Sequence, residues 1–452
     1  MSGLDRRLGP LDGAAVVVSN VIGSGIFLLP AVVAGLTPHP WWMIGAWAAG
    51  GALAFAGAMA YAELAALRPR AGGEYVYLRE AFGPLPAFLT GWTSFMAGFS
   101  GAIAVGAVGF ASYLGRLLPA AGDTEPWAVL PLGVVDLTVS PQALVALSVI
   151  GVLTAVHLVG LGPGRVVQNL LAVMKVALLA AFVALGFALG EGSGANFAET
   201  GEAVSGTGWL LALLPVMFAY SGWNAASYLA EEIRDPGRNV PLALGLGTAA
   251  VVVLYVLLNL LYVYALPVTE FGSAGHMADG VAERLFGPAA AAPVAVASAV
   301  MIAASLSAMV FAGPRVYYAM ARDGQFFASA AAVHPRFRTP AVAIAAQSVW
   351  SGVLVLSGTF RQLVDYTAFA VVLFAGVAVG ALFVLRLREP DAHRPFRAWG
   401  YPAAPLVFVV VSAALVVNAI RINPGPSLAG IALIAAGGPV YLLTRPGASR
   451  GS

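Results

Sequence analysis

The chain has 452 residues, 60% of them hydrophobic and only 10% charged, with no cysteine and a formal net charge of +2. Soluble domains carry about 25% charged residues, so this composition excludes a soluble enzyme or a nucleic-acid-binding domain and points to an all-α polytopic membrane protein. Without cysteine there is no disulfide, no thiolate nucleophile and no cysteine metal site, and the five histidines show no ligand spacing, so neither a metal nor a cofactor is expected.

Apolar segments of roughly 20 residues, each enough to cross about 30 Å of hydrocarbon, lie near residues 11 to 35, 41 to 67, 83 to 118, 141 to 160, 164 to 190, 208 to 230, 241 to 266, 289 to 320, 340 to 357, 363 to 387, 402 to 421 and 427 to 444. They predict twelve transmembrane helices in a single domain spanning 1 to 452. The 53 glycines and 29 prolines, many inside these runs, predict helices that are notched or interrupted. The first segment is too long for a removable signal peptide, so a retained amino terminus is expected. Twelve crossings put both termini on one side of the membrane. That side carries 18 of the 23 basic residues, among them Arg6, Arg7, Arg234, Arg238, Arg445 and Arg450, against Arg116, Arg284, Arg361 and Arg421 on the other. Positive charge accumulates on the cytoplasmic side, so both termini are expected there, in the cell (inner) membrane.

The remaining basic residue is Lys175, the one lysine of the chain, in the middle of VVQNLLAVMKVALLAAFVALG. A cation at that depth costs about 2.5 to 3.5 kcal/mol on insertion scales, and the apolar flanks are too long for its side chain to snorkel out. A functional role is expected.

Two segments are interrupted at comparable depth. The first reads AAVVVSNVIGSGIFLLP, broken at Gly23, Ser24 and Gly25, and the sixth reads LLALLPVMFAYSGWNAASYLAEE, broken at Ser221, Gly222, Trp223 and Asn224. These segments begin two sets of five, 11 to 190 and 208 to 387, followed by two more helices over 402 to 444. Because five is odd, the second set is inverted relative to the first, and paired interruptions mark a midplane binding site in inverted-repeat transporters. Where a helix unwinds, its backbone groups need a cavity or a ligand. The NH groups at Gly23 to Gly25, with the Ser24 hydroxyl, suit a carboxylate at a helix amino terminus. The carbonyls near Val21 and from Phe218 to Ser221 suit an ammonium. Neither break holds a charged side chain, which fits a zwitterion with a neutral side chain.

The strings IGSGIF at 22 to 27, YAELAALRPRAGGEYVYLREAFG at 61 to 83, FAYSGWNAASYLAEEIRDPGRNVPLAL at 218 to 244, GPRVYYAMARDG at 313 to 324 and RPFRAWGYP at 394 to 402 closely resemble the L-type amino acid transporter family of the amino acid, polyamine and organocation superfamily. The resemblance runs from about 11 to 425. It implies the LeuT-type fold, alternating access, and an amino acid held between segments one and six. It places the substrate carboxylate at Ser24 and Gly25 beside Gly23, and the ammonium at the carbonyls of Val21, Phe218 and Ser221, with Phe218 as an outer gate. Ser221 departs from the glycine common there. Lys175 matches a lysine that resembles a substitute for the sodium of sodium-coupled relatives, with Ser305 and Ser307 as its expected neighbours, which implies sodium independence. Pocket walls are expected from Ser100, Asn224, Phe369, Val371 and Val372. Glu63, Glu231, Glu232 and Asp235 are expected to form a charge network with Arg68, Arg70, Arg234 and Arg238.

Animal members of the family carry a cysteine that joins a glycoprotein subunit in the loop corresponding to 119 to 140. Its absence here excludes a disulfide-linked heavy subunit and implies a stand-alone permease. The expected activity is exchange of neutral amino acids. The alternative is a proton-coupled symporter for an amino acid, or for a cationic amino acid or amine.

Overall fold

A computed structural model describes residues 4–444, apart from 24, 134–135, 200–203, 274–276, 359 and 423, and apart from the side chains at 161, 273, 291, 360–368 and 444. Ser24, Arg445 and Arg450, and the side chain of Arg361, therefore lie outside the described residues. In chain order the helices are α1 (Pro10–Val21), α2 (Gly25–Leu36), α3 (Pro40–Leu67), α4 (Glu74–Phe82), α5 (Pro84–Thr93), α6 (Phe99–Gly115), α7 (Pro141–Leu158), α8 (Leu161–Leu189), α9 (Gly206–Ala219), α10 (Ala225–Tyr228), α11 (Pro236–Ala265), α12 (Met277–Phe286), α13 (Ala291–Ala312), α14 (Pro314–Arg322), α15 (Ala341–Leu356), α16 (Phe360–Arg388), α17 (Ala403–Ile422) and α18 (Pro424–Thr444). A short hairpin of β1 (Ala128–Pro131) and β2 (Asp136–Val139) is the one strand pair among the described residues.

Among the described residues, nine helices are long and apolar enough to cross a membrane, or ten if α1 and α2 are one span bent by 49°. The helices at the two remaining expected crossings, α9 and α15, have 14 and 16 residues. α9 is short because the sixth segment stops being helical at Tyr220 and resumes only as the single turn of α10.

Glycine sets how closely the interior helices approach. A Cβ at Gly50 would fall 2.3 Å from Val216 Cγ1, and one at Gly51 would fall 2.8 Å from Val252 Cγ1 and 2.9 Å from the Tyr220 hydroxyl. Small residues of this kind let backbones meet where lipid offers no hydrophobic drive, and here they seat α3 on α9 and α11. Trp47, Tyr220 and Tyr255 pack ring against ring beside this contact, with centroids 5.0 to 6.0 Å apart. The outward faces of α8, α17 and α18 expose leucine and valine, as lipid contact requires.

At the end of the bundle where the amino terminus lies, charged groups tie the helices together. The expected network is present with different partners. Glu63 binds Arg386 at 2.6 Å and accepts from the Ala398 NH, while Glu231 binds Arg322 at 2.9 Å. Arg68 goes to Glu80 and Glu389, and Arg70 to Asp323. Asp235 instead serves as the left-handed residue, φ 44°, that starts α11. Glu232 meets Arg315, both fully buried, through two hydrogen bonds of 2.7 and 3.1 Å. The backbone of Arg7 and Leu8 is pinned to the Glu232 carbonyl, and Leu8 pairs in parallel with Ile233.

Removing one partner of such a buried pair strands the other, at a cost of about 3 to 5 kcal/mol. Arg315→Met is therefore expected to lower the apparent melting temperature in detergent, and adding Glu232→Gln should recover most of the loss. Equal losses in the single and double variants would show that packing, not the stranded charge, is responsible.

Candidate substrate site

The two interruptions meet in the interior. α1 ends at Val21, where Ile22 turns to extended backbone (ψ 91°), and α2 begins at Gly25. Glycine is among the weakest helix formers, so an apolar run loses its helix most readily there. In the sixth segment, α9 ends at Ala219 and Gly222 adopts φ +99°, a conformation that side chains rarely take. A Cβ on Gly222 would fall 2.7 Å from Asn20 Nδ2, and one on Gly25 would fall 3.2 Å from Ala219 Cα. Glycine at both positions lets one break lie against the other. Asn20 Nδ2 makes a long contact of 3.5 Å to the Gly222 carbonyl between them.

Beside the breaks lies a cavity of about 330 Å³, within the range of small-molecule sites. Val21, Gly23, Gly25, Phe218, Ser221 and Asn224 all line it, as do Ser305, Val371 and Val372. Ser100 is fully buried and, like Phe369, is not among the lining residues. The third span contributes Ser94 and Gly98 from a stretch of π-helix between α5 and α6, a distortion common at functional sites, and Phe99 from the start of α6.

Backbone carbonyls surround the first break. Val21 O accepts from the Tyr255 hydroxyl at 3.0 Å, and that hydroxyl also stands 3.3 Å from Ala219 O. Tyr255 thus ties both breaks to α11. A carbonyl has two lone pairs, so Val21 O keeps capacity for another donor. Phe218 O accepts from the Ser221 NH at 3.0 Å and has capacity left as well.

Behind the first break sits Lys175, fully buried on α8. Its Nζ donates to Ser19 O at 2.9 Å, to Ile22 O, and to Ser305 Oγ at 2.9 Å. Three acceptors match the three hydrogens of an ammonium. No carboxylate is among them; the charge rests on the carbonyl end of α1, where the helix dipole is negative. Ser305 Oγ lies 2.6 Å from Ile22 O and 2.9 Å from Ser19 O, so its own proton goes to one of the same carbonyls. The other expected neighbour is elsewhere: Ser307 Oγ pairs with His157 Nε2 at 2.9 Å on α7. Consecutive odd positions on a helix point about 200° apart, so Ser305 and Ser307 could not both face α8.

Sequence reasoning missed three residues at this site. Tyr255 and Asn20 are ordinary polar residues in apolar helices and carry no local signal. Glu74, at the start of α4 between two spans, lines the cavity too. Gly72 and Gly73 precede it with φ +114° and +53°, and a Cβ at Gly73 would fall 2.6 Å from the Tyr228 ring. The GGE string therefore marks a close approach of α4 to the sixth segment.

A sequence profile of the family described as amino acid permease matches residues 8–443. The chain is 31% identical to b(0,+)-type amino acid transporter 1 of Oryctolagus cuniculus over 87% of its own length and 79% of that protein. It is 28% identical to the serine/threonine exchanger SteT of Bacillus subtilis (strain 168), over 91% and 90% of the two chains. It is 29% identical to the human cystine/glutamate transporter, over 97% and 85%.

Proposed function

This chain belongs to the amino acid permease family, and from that premise, which makes it a multi-pass membrane transporter and not an enzyme, we propose that it exchanges neutral amino acids by alternating access without sodium. The observation that carries this reading is the Lys175 ammonium, seated on the carbonyls of Ser19 and Ile22. A fixed cation there leaves no place for a transported one and holds the first break to α8 and α13. The substrate carboxylate would lie at the start of α2, on Gly25 and Ser24 with Gly23 adjacent. Its ammonium would take the free lone pairs of Val21, Phe218 and Ser221. Walls of valine, phenylalanine and isoleucine favour neutral side chains of small or medium size.

The architecture proposed with it is the LeuT-type fold, twelve spans in one domain, with both termini in the cytoplasm of a cell bearing this protein in its inner membrane. Its support is the pairing of equivalent helices: α3 lies along α11, α6 along α13 and α7 along α15, while the first segment of each five meets the other at the breaks. An inverted repeat related by a two-fold axis in the membrane plane produces such pairing. No disulfide-linked subunit is proposed, since the chain has no cysteine.

The test is uptake of radiolabelled alanine, serine, leucine and methionine into proteoliposomes, with and without internal amino acid, varying sodium and pH. Uptake that needs internal amino acid and ignores sodium and a proton gradient is the expected result. Accumulation driven by a proton gradient alone would make the protein a symporter instead.

A further inference from the structure

Glu74 is the one carboxylate among the described residues lining the cavity. It stands at the start of α4, in the link between α3 and α5 and outside the spanning helices. Its Oε1 accepts from the Tyr228 hydroxyl at 2.8 Å, and its Oε2 accepts from Asn224 Nδ2 at 3.3 Å. Asn224 Nδ2 also donates to the Tyr228 hydroxyl at 2.9 Å. Every hydrogen in this triangle has a destination. The two on the Asn224 amino group go to the Tyr228 oxygen and to Glu74, and the one on the Tyr228 hydroxyl goes to Glu74. Turned over, the amide would set Oδ1 against a carboxylate oxygen and against a hydroxyl oxygen whose hydrogen is already committed, acceptor facing acceptor. The carboxylate therefore decides which way the amide points. Asn224 lines the cavity and its Oδ1 takes no part in the triangle, so the end left to the cavity is a carbonyl oxygen. The backbone behind the carboxylate is held close. The Gly72 NH donates to the Tyr228 carbonyl at 3.3 Å, and Gly73 meets the Tyr228 ring without space for a Cβ.

We propose that Glu74 is a positioning residue for substrate recognition: it fixes the Asn224 amide with its carbonyl end toward the cavity, where that oxygen accepts a hydrogen bond from the substrate ammonium. The inference rests on the cavity being the substrate site proposed above, with the ammonium beside Ser221, which belongs to the same non-helical stretch as Asn224 and lines the same cavity. An ammonium only donates, so a carbonyl oxygen attracts it and an amino group repels it. A neutral carboxyl or a carboxamide at position 74 offers one acceptor and one donor in place of two acceptors. The Asn224 amide is then free to turn over and present its amino end to the substrate.

Burial raises the Glu74 pKa to about 7, against hydrogen bonds from Tyr228, its own backbone and Asn224. The titratable groups facing it are tyrosines: Tyr61 of α3, Tyr77 of α4, Tyr228 of α10 and Tyr317 of α14. α5 has no titratable side chain. The described charged side chains of the packed helices are engaged elsewhere. On α4, Arg79 holds Asp323 and Glu80 holds Arg68; on α14, Arg315 holds Glu232 and Arg322 holds Glu231. On α16, Arg386 holds Glu63 and Arg388 holds the Ala81 carbonyl. Glu74 therefore loses its charge as pH falls through about 7, and with the charge goes its hold on Asn224.

The experiment is the alanine dependence of exchange in proteoliposomes with the same pH on both faces, at about pH 5.5 and 8. It compares the wild type with Glu74→Gln, Glu74→Asp, Asn224→Ala and the Glu74→Gln, Asn224→Ala double variant. At the higher pH, Glu74→Gln is expected to raise KM for alanine about tenfold, the worth of one hydrogen bond to a charged group, with the change confined to KM. Asn224→Ala should raise KM by as much, and the double variant no further. Glu74→Asp, which restores two acceptors, should recover part of the loss. The wild-type KM should climb toward that of Glu74→Gln at the lower pH, a readout that needs no substitution, while Glu74→Gln stays flat. If Asn224→Ala raises KM, then a wild-type KM in Glu74→Gln, a fall in maximal rate at unchanged KM, or a wild-type KM that ignores pH overturns the assignment of Glu74 alone. If Asn224→Ala keeps the wild-type KM, the substrate does not meet this wall of the cavity, and the proposed site falls with the inference.

Discussion

Replacing Lys175 with alanine is expected to reduce exchange about a hundredfold, equivalent to about 3 kcal/mol, in a protein that still purifies as a monodisperse, helical species. Three hydrogen bonds from one ammonium hold Ser19 O, Ile22 O and Ser305 Oγ around the first break. Bonds from charged donors contribute about 1.5 to 3 kcal/mol each, and without them only the Ser305 hydroxyl remains to satisfy two carbonyls. The break then has no fixed geometry in which to meet a carboxylate on one side and an ammonium on the other. Alanine also leaves a void, so Lys175→Met, which keeps most of the volume without the charge, is the decisive companion. Exchange kinetics of the methionine variant equal to wild type from about pH 5 to pH 8 would show that the lysine only fills space.

Gly222→Val is expected to abolish measurable binding of alanine by the purified protein, with Gly222→Ala losing about tenfold. The residue sits at φ +99°, where a branched side chain is strained, and its Cβ would fall 2.7 Å from Asn20 Nδ2 and 3.1 Å from the Asn20 backbone carbon. Relief requires the sixth segment to retreat from the first, which separates the carbonyls proposed to share the substrate ammonium. Scintillation proximity binding beside a melting curve distinguishes this from unfolding. A valine variant that binds alanine at wild-type affinity would place the substrate somewhere other than between the breaks.

Both residues were legible in the sequence, for the same reason. A lysine or a Gly-Ser pair in a long apolar run is an anomaly against a uniform background, and hydrocarbon penalises it heavily enough that a compensating structure is required. The short α9 was not legible, because hydropathy continues through Tyr220 to Tyr228 after the helix has ended. Charge partners were assigned by nearness in sequence and came out differently. Glu63 pairs with Arg386, 323 positions away, in place of Arg68, since the ends of distant helices converge there. Glu74 was passed over because carboxylates are ordinary in the links between spans. Its approach to the cavity depends on two positive-φ glycines whose effect appears only once Tyr228 is in place.

Where α3 meets α9 and α11, Gly50 and Gly51 leave no slack: even a single Cβ at either position would fall within 3 Å of Val216 or Val252. Close-packed interiors resist shear. These three helices therefore behave as one stiff plate, so a change in which side of the membrane sees the cavity must tilt them together, with the bending left to the non-helical residues 22, 23 and 220 to 224.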